Sequence, residues 1–414
     1  MTLFKTSILT AIATIIKVIT RFVINKLVAI YIGPSGLAMI GQFQNFLSLV
    51  MTIAQGAISQ GVIKYTAEYR ENSDKKSNLF STALLITLFS SIFVAMFINI
   101  FSSDLSMYIL KSYNYNNIFI ILSSTIILFA LNTFLLSILN GEKEIKKYIL
   151  VNIAGSLFSL VFTSLLIINF KLLGSLYAMV LNQSVIFFVT LFFVIKSSWF
   201  HLKYFLNGLD KKSSINLGKY ALMAIVSATL QPLSQMIIRD YIGNNLGWDS
   251  AGYWQGIWYI STMYLMVITT SLSVYYLPRL SEITDRLELK KEIINGYKTI
   301  IPIVSFLALA IYMFREWIIY IAFSNSFIEM EELFKWQLVG DVIKIASWLL
   351  SYLMLAKAMT KLFIISEIIF IILWTVLAIL GIRYFGIIGV SYAFSLNYLL
   401  YFIFIFYVFR KVLK

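Results

Sequence analysis

Cysteine is absent from the 414 residues, and histidine occurs once, at His201. The first absence excludes disulfides and thiolate metal sites. The second leaves no Ser/His/Asp set, because His201 sits in a lysine-bearing loop where a solvated side chain is the ordinary outcome. No His/Cys/Asp cluster has metal-ligand spacing, and no glycine-rich loop ends in Lys-Ser or Lys-Thr. No metal, no cofactor and no catalytic residue is therefore expected, and the chain does not read as an enzyme. Charge is also scarce: Asp, Glu, Lys and Arg make up 13% of the residues, about half the share in a soluble domain.

Apolar residues fill the space. They account for 60% of the chain, against about 45–50% in soluble domains, and the mean hydropathy is +0.86. This is the composition of a multi-pass membrane protein. Windows of about 20 apolar residues mark about twelve spans, at 8–32, 37–63, 79–101, 118–139, 148–170, 174–195, 218–241, 252–277, 297–323, 333–356, 362–382 and 387–409. The first is too long and too charged for a cleaved signal peptide. The expected fold is an all-α polytopic membrane protein of about 12 transmembrane helices.

The net charge of +14 belongs to topology. About 23 of the 33 Lys and Arg fall in segments that alternate to one side, and about six fall opposite. Both termini are thus expected on the cytoplasmic side, with anionic inner-leaflet lipid as a partner and no nucleic acid. The outer loops are too short for an extracytoplasmic domain. The inner loops at 196–217 and 279–296 are polar enough to form surface helices.

A weak repeat runs through the chain. "SGLAMIG" at 35–41 faces "SAGYWQG" at 250–256, and the same offset of 215 residues places Lys64 on Arg279. Duplication of a six-span unit predicts two six-helix lobes, 1–210 and 211–414, inserted in the same direction, with a substrate site expected between the repeats.

Several spans carry polar stripes. "IIKVITRFVINK" at 15–26 places Lys17, Arg21 and Lys26 in an apolar segment, where each charge costs about 2.5–3.5 kcal/mol at a bilayer centre. At about 100° per residue, Thr10, Thr14, Lys17, Arg21 and Asn25 share one face, while Lys26 lies roughly opposite, placed to snorkel. Gln42 and Asn45 mark the second span; Gln235 and Arg239 mark the seventh, bent by Pro232. Gln337, Asp341 and Lys344 share a face of the tenth span, where Asp341 and Lys344 are spaced to pair. Glu367 is a second deep acid, on the eleventh. The deep charges are nonetheless mostly cationic, which points to an anionic ligand such as a phosphate or pyrophosphate. Trp254 and Trp258 belong to an aromatic cluster otherwise explained by the interfacial belt, and are candidates for stacking on a sugar.

"WDSAGYWQGIWYISTMYL" at 248–265, "FKWQLVGDVIK" at 334–344 and the opening region with Lys17, Lys26 and "IGPSGL" at 32–37 resemble Wzx-type flippases. That resemblance extends over essentially the whole chain. It implies kinship with the MATE exporters of the multidrug/oligosaccharidyl-lipid/polysaccharide superfamily, and two six-helix lobes around a central cavity. It implies export of an undecaprenyl-pyrophosphate-linked oligosaccharide, an O-antigen or enterobacterial common antigen repeat unit, across the bacterial inner membrane. On this reading Lys17, Lys26, Arg239 and Lys344 receive the pyrophosphate. Arg21 joins them by helical phase alone. Asp341 and Glu367 are the candidates for H+ or Na+ coupling. A glycan polymerase and a chain-length regulator are candidate neighbours. The expected mechanism is alternating access. The rival readings are a MATE-like multidrug or cation antiporter, whose cavity should be acid-rich, and a membrane glycan polymerase, which needs a large outer loop.

Overall fold

The computed structural model describes residues 3–357 and 359–413, without the side chains of 3–8, 10, 11, 222, 223, 227, 274 and 411–413. Thr10 of the first polar stripe thus lies outside the described residues. Among them the chain is helical, with no strand. Lipid offers no hydrogen-bond partner to a peptide group, so each apolar run closes its own i→i−4 bonds. The helices are α1 (Leu3–Tyr31), α2 (Gly33–Ala54), α3 (Ser59–Glu68), α4 (Ser73–Ile100), α5 (Ser102–Leu110), α6 (Asn116–Gly141), α7 (Ile145–Ile195) and α8 (Lys211–Leu246). They continue with α9 (Trp248–Ser271), α10 (Leu277–Glu282), α11 (Arg286–Met313), α12 (Arg315–Ala322), α13 (Glu331–Ala356), α14 (Thr360–Phe385) and α15 (Ile388–Leu413). Nine helices among the described residues are long and apolar enough to cross a membrane.

The predicted spans hold in broad placement but differ at their ends. The second breaks between α2 and α3, because Gly56 and Ala57 both take left-handed backbone at φ 65° and 54°. The fifth and sixth join into the 51-residue α7, folded back at Lys171 (φ 50°). Asn182 Nδ2 donates to Ser159 and Thr163 at 3.1 Å, and Lys147 Nζ donates to Ser197 at 2.8 Å. Those pairs are almost equidistant from Lys171, as in an antiparallel hairpin. Of the two inner loops polar enough to form surface helices, the second holds the short α10 and the first turns of α11. Residues 202–205 make a single tight turn, and α11 starts early, at Arg286.

Helix contacts divide the chain into two compact units, 1–32 with 39–233, and 33–38 with 234–414. In the first unit, α1 lies along α7, where Thr20 Oγ1 donates to the Ser156 carbonyl at 3.4 Å. The core joins α3, α4, α6 and the end of α7 around Val62, Phe80, Phe134, Ile138 and Val194. The 202–210 segment is strapped to α4: Ser81 Oγ donates to the Gly208 carbonyl at 2.8 Å, and Phe205 stacks on Phe80. Asp210 then caps α8 by accepting the Ser213 amide at 2.7 Å. That hydrogen bond holds the Asp210 carboxyl below its ordinary range. The cap therefore contributes above the ordinary carboxylate pKa and is lost as pH falls through the lowered one.

In the second unit, the core joins α9, α11, α13 and α15 around Leu265, Leu272, Ile293, Val304, Leu349 and Ile405. The first turn of α2 belongs here, against the first turn of α9. Asp249 Oδ1 accepts the Ser35 amide at 3.0 Å, satisfying one of the orphan donors at that helix start. Gly252 packs on the Pro34 backbone, where a Cβ would strike the carbonyl. The two segments of the sequence repeat therefore meet. Gly252→Val is expected to cost about 1–3 kcal/mol by overpacking, and Asp249→Ala about 1 kcal/mol as a lost cap. Thermal melts in detergent measure both.

Candidate functional site

In the first unit the polar stripe of α1 is exposed at Thr14, Lys17 and Arg21, and partly buried at Asn25. The same helix exposes a second stripe, Ile12, Ile15, Ile19 and Ile30. At about 100° per residue the two stripes lie roughly on opposite sides of the helix. A helix in lipid turns its isoleucines to the acyl chains, so the Lys17 and Arg21 side faces away from them. Lys26 is partly buried and shares the isoleucine side in helical phase, as its predicted separation from Lys17 requires. Gln42 is buried and Asn45 partly buried on α2.

The second unit gathers the remaining candidates. On α13, Gln337, Asp341, Lys344 and Trp348 recur at spacings of three and four, which sets them on one face. On α9, Trp254, Trp258 and Ser261 do the same. Asp341 is fully buried and accepts the Tyr264 hydroxyl at 3.0 Å. The lysine one turn on takes another course. Its ammonium lies 4.9 Å from the ring centre of Trp348, 5.6 Å from Tyr398 and 5.8 Å from Trp258. The predicted pair of Asp341 and Lys344 is thus a through-space neighbour relation, with no contact ion pair among the described residues. The physical reason is the packing of α9 and α15. Tyr264 reaches the acid from one, Tyr398 reaches the lysine from the other, and each partner is local.

Arg239 on α8 is 1% exposed. It donates from Nη2 to Gln255 Oε1 and lies 5.4 Å over the Trp254 ring. Trp254 in turn packs on Trp258, ring centres 6.0 Å apart. Two rings packed together and flanked by cations therefore run Arg239, Trp254, Trp258, Lys344 as a ladder across α8, α9 and α13. Desolvated cation–π contacts contribute about 2 kcal/mol or more each, so they offset part of the cost of buried positive charge. Asp240, beside Arg239, accepts Asn244 Nδ2 at 3.0 Å. Gln255→Leu removes a charge-assisted hydrogen bond and is expected to cost about 1.5–3 kcal/mol, read as a lower unfolding midpoint.

Phe394 of α15 props the ladder from behind, edge-on to Trp258 at 5.8 Å and to Tyr398 at 4.9 Å. It fits because Gly340 carries no Cβ, which would meet the Phe394 ring. Gln235 and Gln337 are buried, and Glu367 on α14 lies within electrostatic reach of Tyr398 and Tyr401. Sequence reasoning missed Gln255, Tyr264, Trp348 and Tyr398. Trp348 was legible, four residues beyond Lys344 on the same face; Tyr398 was not, since only folding brings α15 there.

The comparisons with known proteins agree in kind. The model of a family described as "Polysaccharide biosynthesis protein" matches residues 3–284. The chain is 28% identical over 404 residues to the "Lipid III flippase" of Escherichia coli (strain K12), covering 97% of each. Its fold is similar to the inward-facing conformation of a multidrug resistance MATE family transporter of the MOP superfamily, with a TM-score of 0.82 at 14% identity over 96% of this chain and 94% of that one. The outward-facing conformation of such a transporter gives 0.69 at 15% identity, over 99% and 95%.

Proposed function

The chain belongs to the polysaccharide biosynthesis protein family, and from that premise we propose that it is a flippase for undecaprenyl-pyrophosphate-linked oligosaccharide. It moves an O-antigen or related repeat unit from the cytoplasmic to the periplasmic leaflet of the bacterial inner membrane. The observation that carries this reading is the exposed Lys17 and Arg21 stripe of α1, set opposite the isoleucine stripe of the same helix. A diphosphate in a low-dielectric setting needs cations, and cations need a reason to sit in a span. In the first unit Lys17 and Arg21 are the cations that grip the diphosphate, and in the second unit Lys344 is the candidate phosphate-binding cation. Arg239 acts from behind, holding Trp254 in place, and Lys26 anchors α1.

Counting the halves of α7 separately and adding α1 and α9 to the nine apolar helices supports twelve spans. Twelve spans put both termini on the cytoplasmic side by the positive-inside rule. We read 1–210 and 211–414 as the two lobes of an alternating-access cycle. An inside-negative potential favours the outward step by about 2.3 kcal/mol per charge per 100 mV. Asp341 and Glu367 are the acids available for H+ or Na+ coupling.

The similarity to MATE folds favours one second reading, a drug or cation antiporter. Proteoliposomes separate the two. A labelled polyprenyl-pyrophosphate oligosaccharide in one leaflet becomes accessible to an impermeant reagent on the other side if the flippase reading holds. Counter-flow of a cationic dye with an immobile oligosaccharide would establish the antiporter instead.

A further inference from the structure

We infer that Trp258, Trp348 and Tyr398 form a sugar-reading cage that Lys344 occupies at rest and vacates for the first sugar of the substrate. This rests on the flippase reading above and adds a specificity site to it. One ammonium stands at 4.9–5.8 Å from three rings drawn from three different helices, α9, α13 and α15. All four side chains are partly exposed. Among the described residues the nearest acid on the same helix makes no contact ion pair with the lysine; Asp341 accepts the Tyr264 hydroxyl instead. Ring faces are therefore the contacts that hold Lys344.

A ring quadrupole is a weaker partner for an ammonium than a doubly charged diphosphate. An arriving diphosphate draws Lys344 out along its flexible stem. The group attached beyond the diphosphate is set by the chemistry of the substrate class: the first sugar is joined through a single oxygen. That sugar necessarily comes within reach of rings that surrounded the phosphate-binding lysine. The C–H face of a pyranose is apolar and slightly positive, so it matches the negative face of an indole or phenol. The ring that binds a cation at rest thereby binds a sugar in the loaded state. The same exchange ties the two events together, since the cage is free only when the lysine has found its diphosphate. A polyprenyl pyrophosphate without a sugar would fill the lysine site and leave the cage empty.

Two ligands of one lipid length and equal charge test this: a bare polyprenyl pyrophosphate capped as its methyl ester, and one carrying a single pyranose. Affinity is measured for the detergent-solubilised full chain, its Trp348→Leu and Tyr398→Leu variants, and Lys344→Gln. The wild type is expected to favour the glycosylated ligand. Trp348→Leu and Tyr398→Leu should each lower affinity for that ligand by about five- to tenfold, while the bare ligand binds as tightly or more tightly, since a lost ring also frees Lys344. The retained bare-ligand affinity doubles as proof that the variants fold. Lys344→Gln should weaken both ligands alike. Equal losses for both ligands in the ring variants, or none for either, overturn the cage and leave the flippase reading intact. A wild type that binds neither ligand overturns both.

Discussion

Replacing Lys17 and Arg21 together by glutamine is expected to reduce translocation to the level of protein-free vesicles while expression and thermal stability stay unchanged. Both side chains are exposed on α1, and substitutions at such positions usually alter stability by no more than about 0.5 kcal/mol. On the proposed reading their value lies in the loaded state. A diphosphate leaving water without counter-charge faces a desolvation cost of many kcal/mol, and two cations one helical turn apart remove most of it. Each single variant should be intermediate. Lys26→Gln is the internal control. It removes an equal charge from the same helix, but on the isoleucine side, and should keep at least about half of the transport rate. The assay is leaflet accessibility of a labelled lipid-linked oligosaccharide. Full transport in the double variant would remove Lys17 and Arg21 from the site.

The largest expected effect on stability lies elsewhere, at Lys76. Its ammonium stands 2.8 Å from the Glu142 carboxylate, and the residues are 6% and 4% exposed. Arg70 approaches the other Glu142 oxygen at 3.9 Å from the surface. The pair ties α4 to the C-terminal end of α6. Lys76→Met leaves a buried carboxylate with only the exposed Arg70 as a partner, and breaking such a pair costs about 3–5 kcal/mol. Lys76→Met with Glu142→Leu removes both charges at once and should recover most of the loss, because apolar replacement of a buried pair is often neutral or better. Denaturation midpoints of the single and double variants, compared in one detergent, measure the coupling. Equal destabilisation by the single and the double change would mean that the pair contributes nothing beyond its packing.

Lys76 also illustrates how far sequence reading reaches. By position it is one more basic residue in a loop-proximal cluster, and the positive-inside count takes it as such. That it is buried and paired depends on Glu142, 66 residues further along the chain. The α1 stripe is the opposite case. Lys17, Arg21 and the three exposed isoleucines of 12–19 are separated by helical phase alone, so a single helix suffices to sort them. The face of α13 is intermediate. Spacing aligned Gln337, Asp341 and Lys344, and would have included Trp348, but spacing also suggested that the acid and the lysine would pair. Two tyrosines from other helices changed the outcome.

The lipid-facing composition of this chain by itself settles that it is a helical, multi-pass membrane protein, where its apolar runs lie, and which of them carry charge. Hydrocarbon makes a backbone satisfy its amides internally, apolar runs of about 20 residues do so as helices, and the periodicity of one helix is written in one stretch of residues. Tertiary structure alone decided who neutralises whom: Tyr264 with Asp341, three rings with Lys344, Gln255 and Trp254 with Arg239, and Glu142 with Lys76. Those partnerships depend on which faces the helices turn toward one another, and that is fixed by packing between residues far apart in the chain.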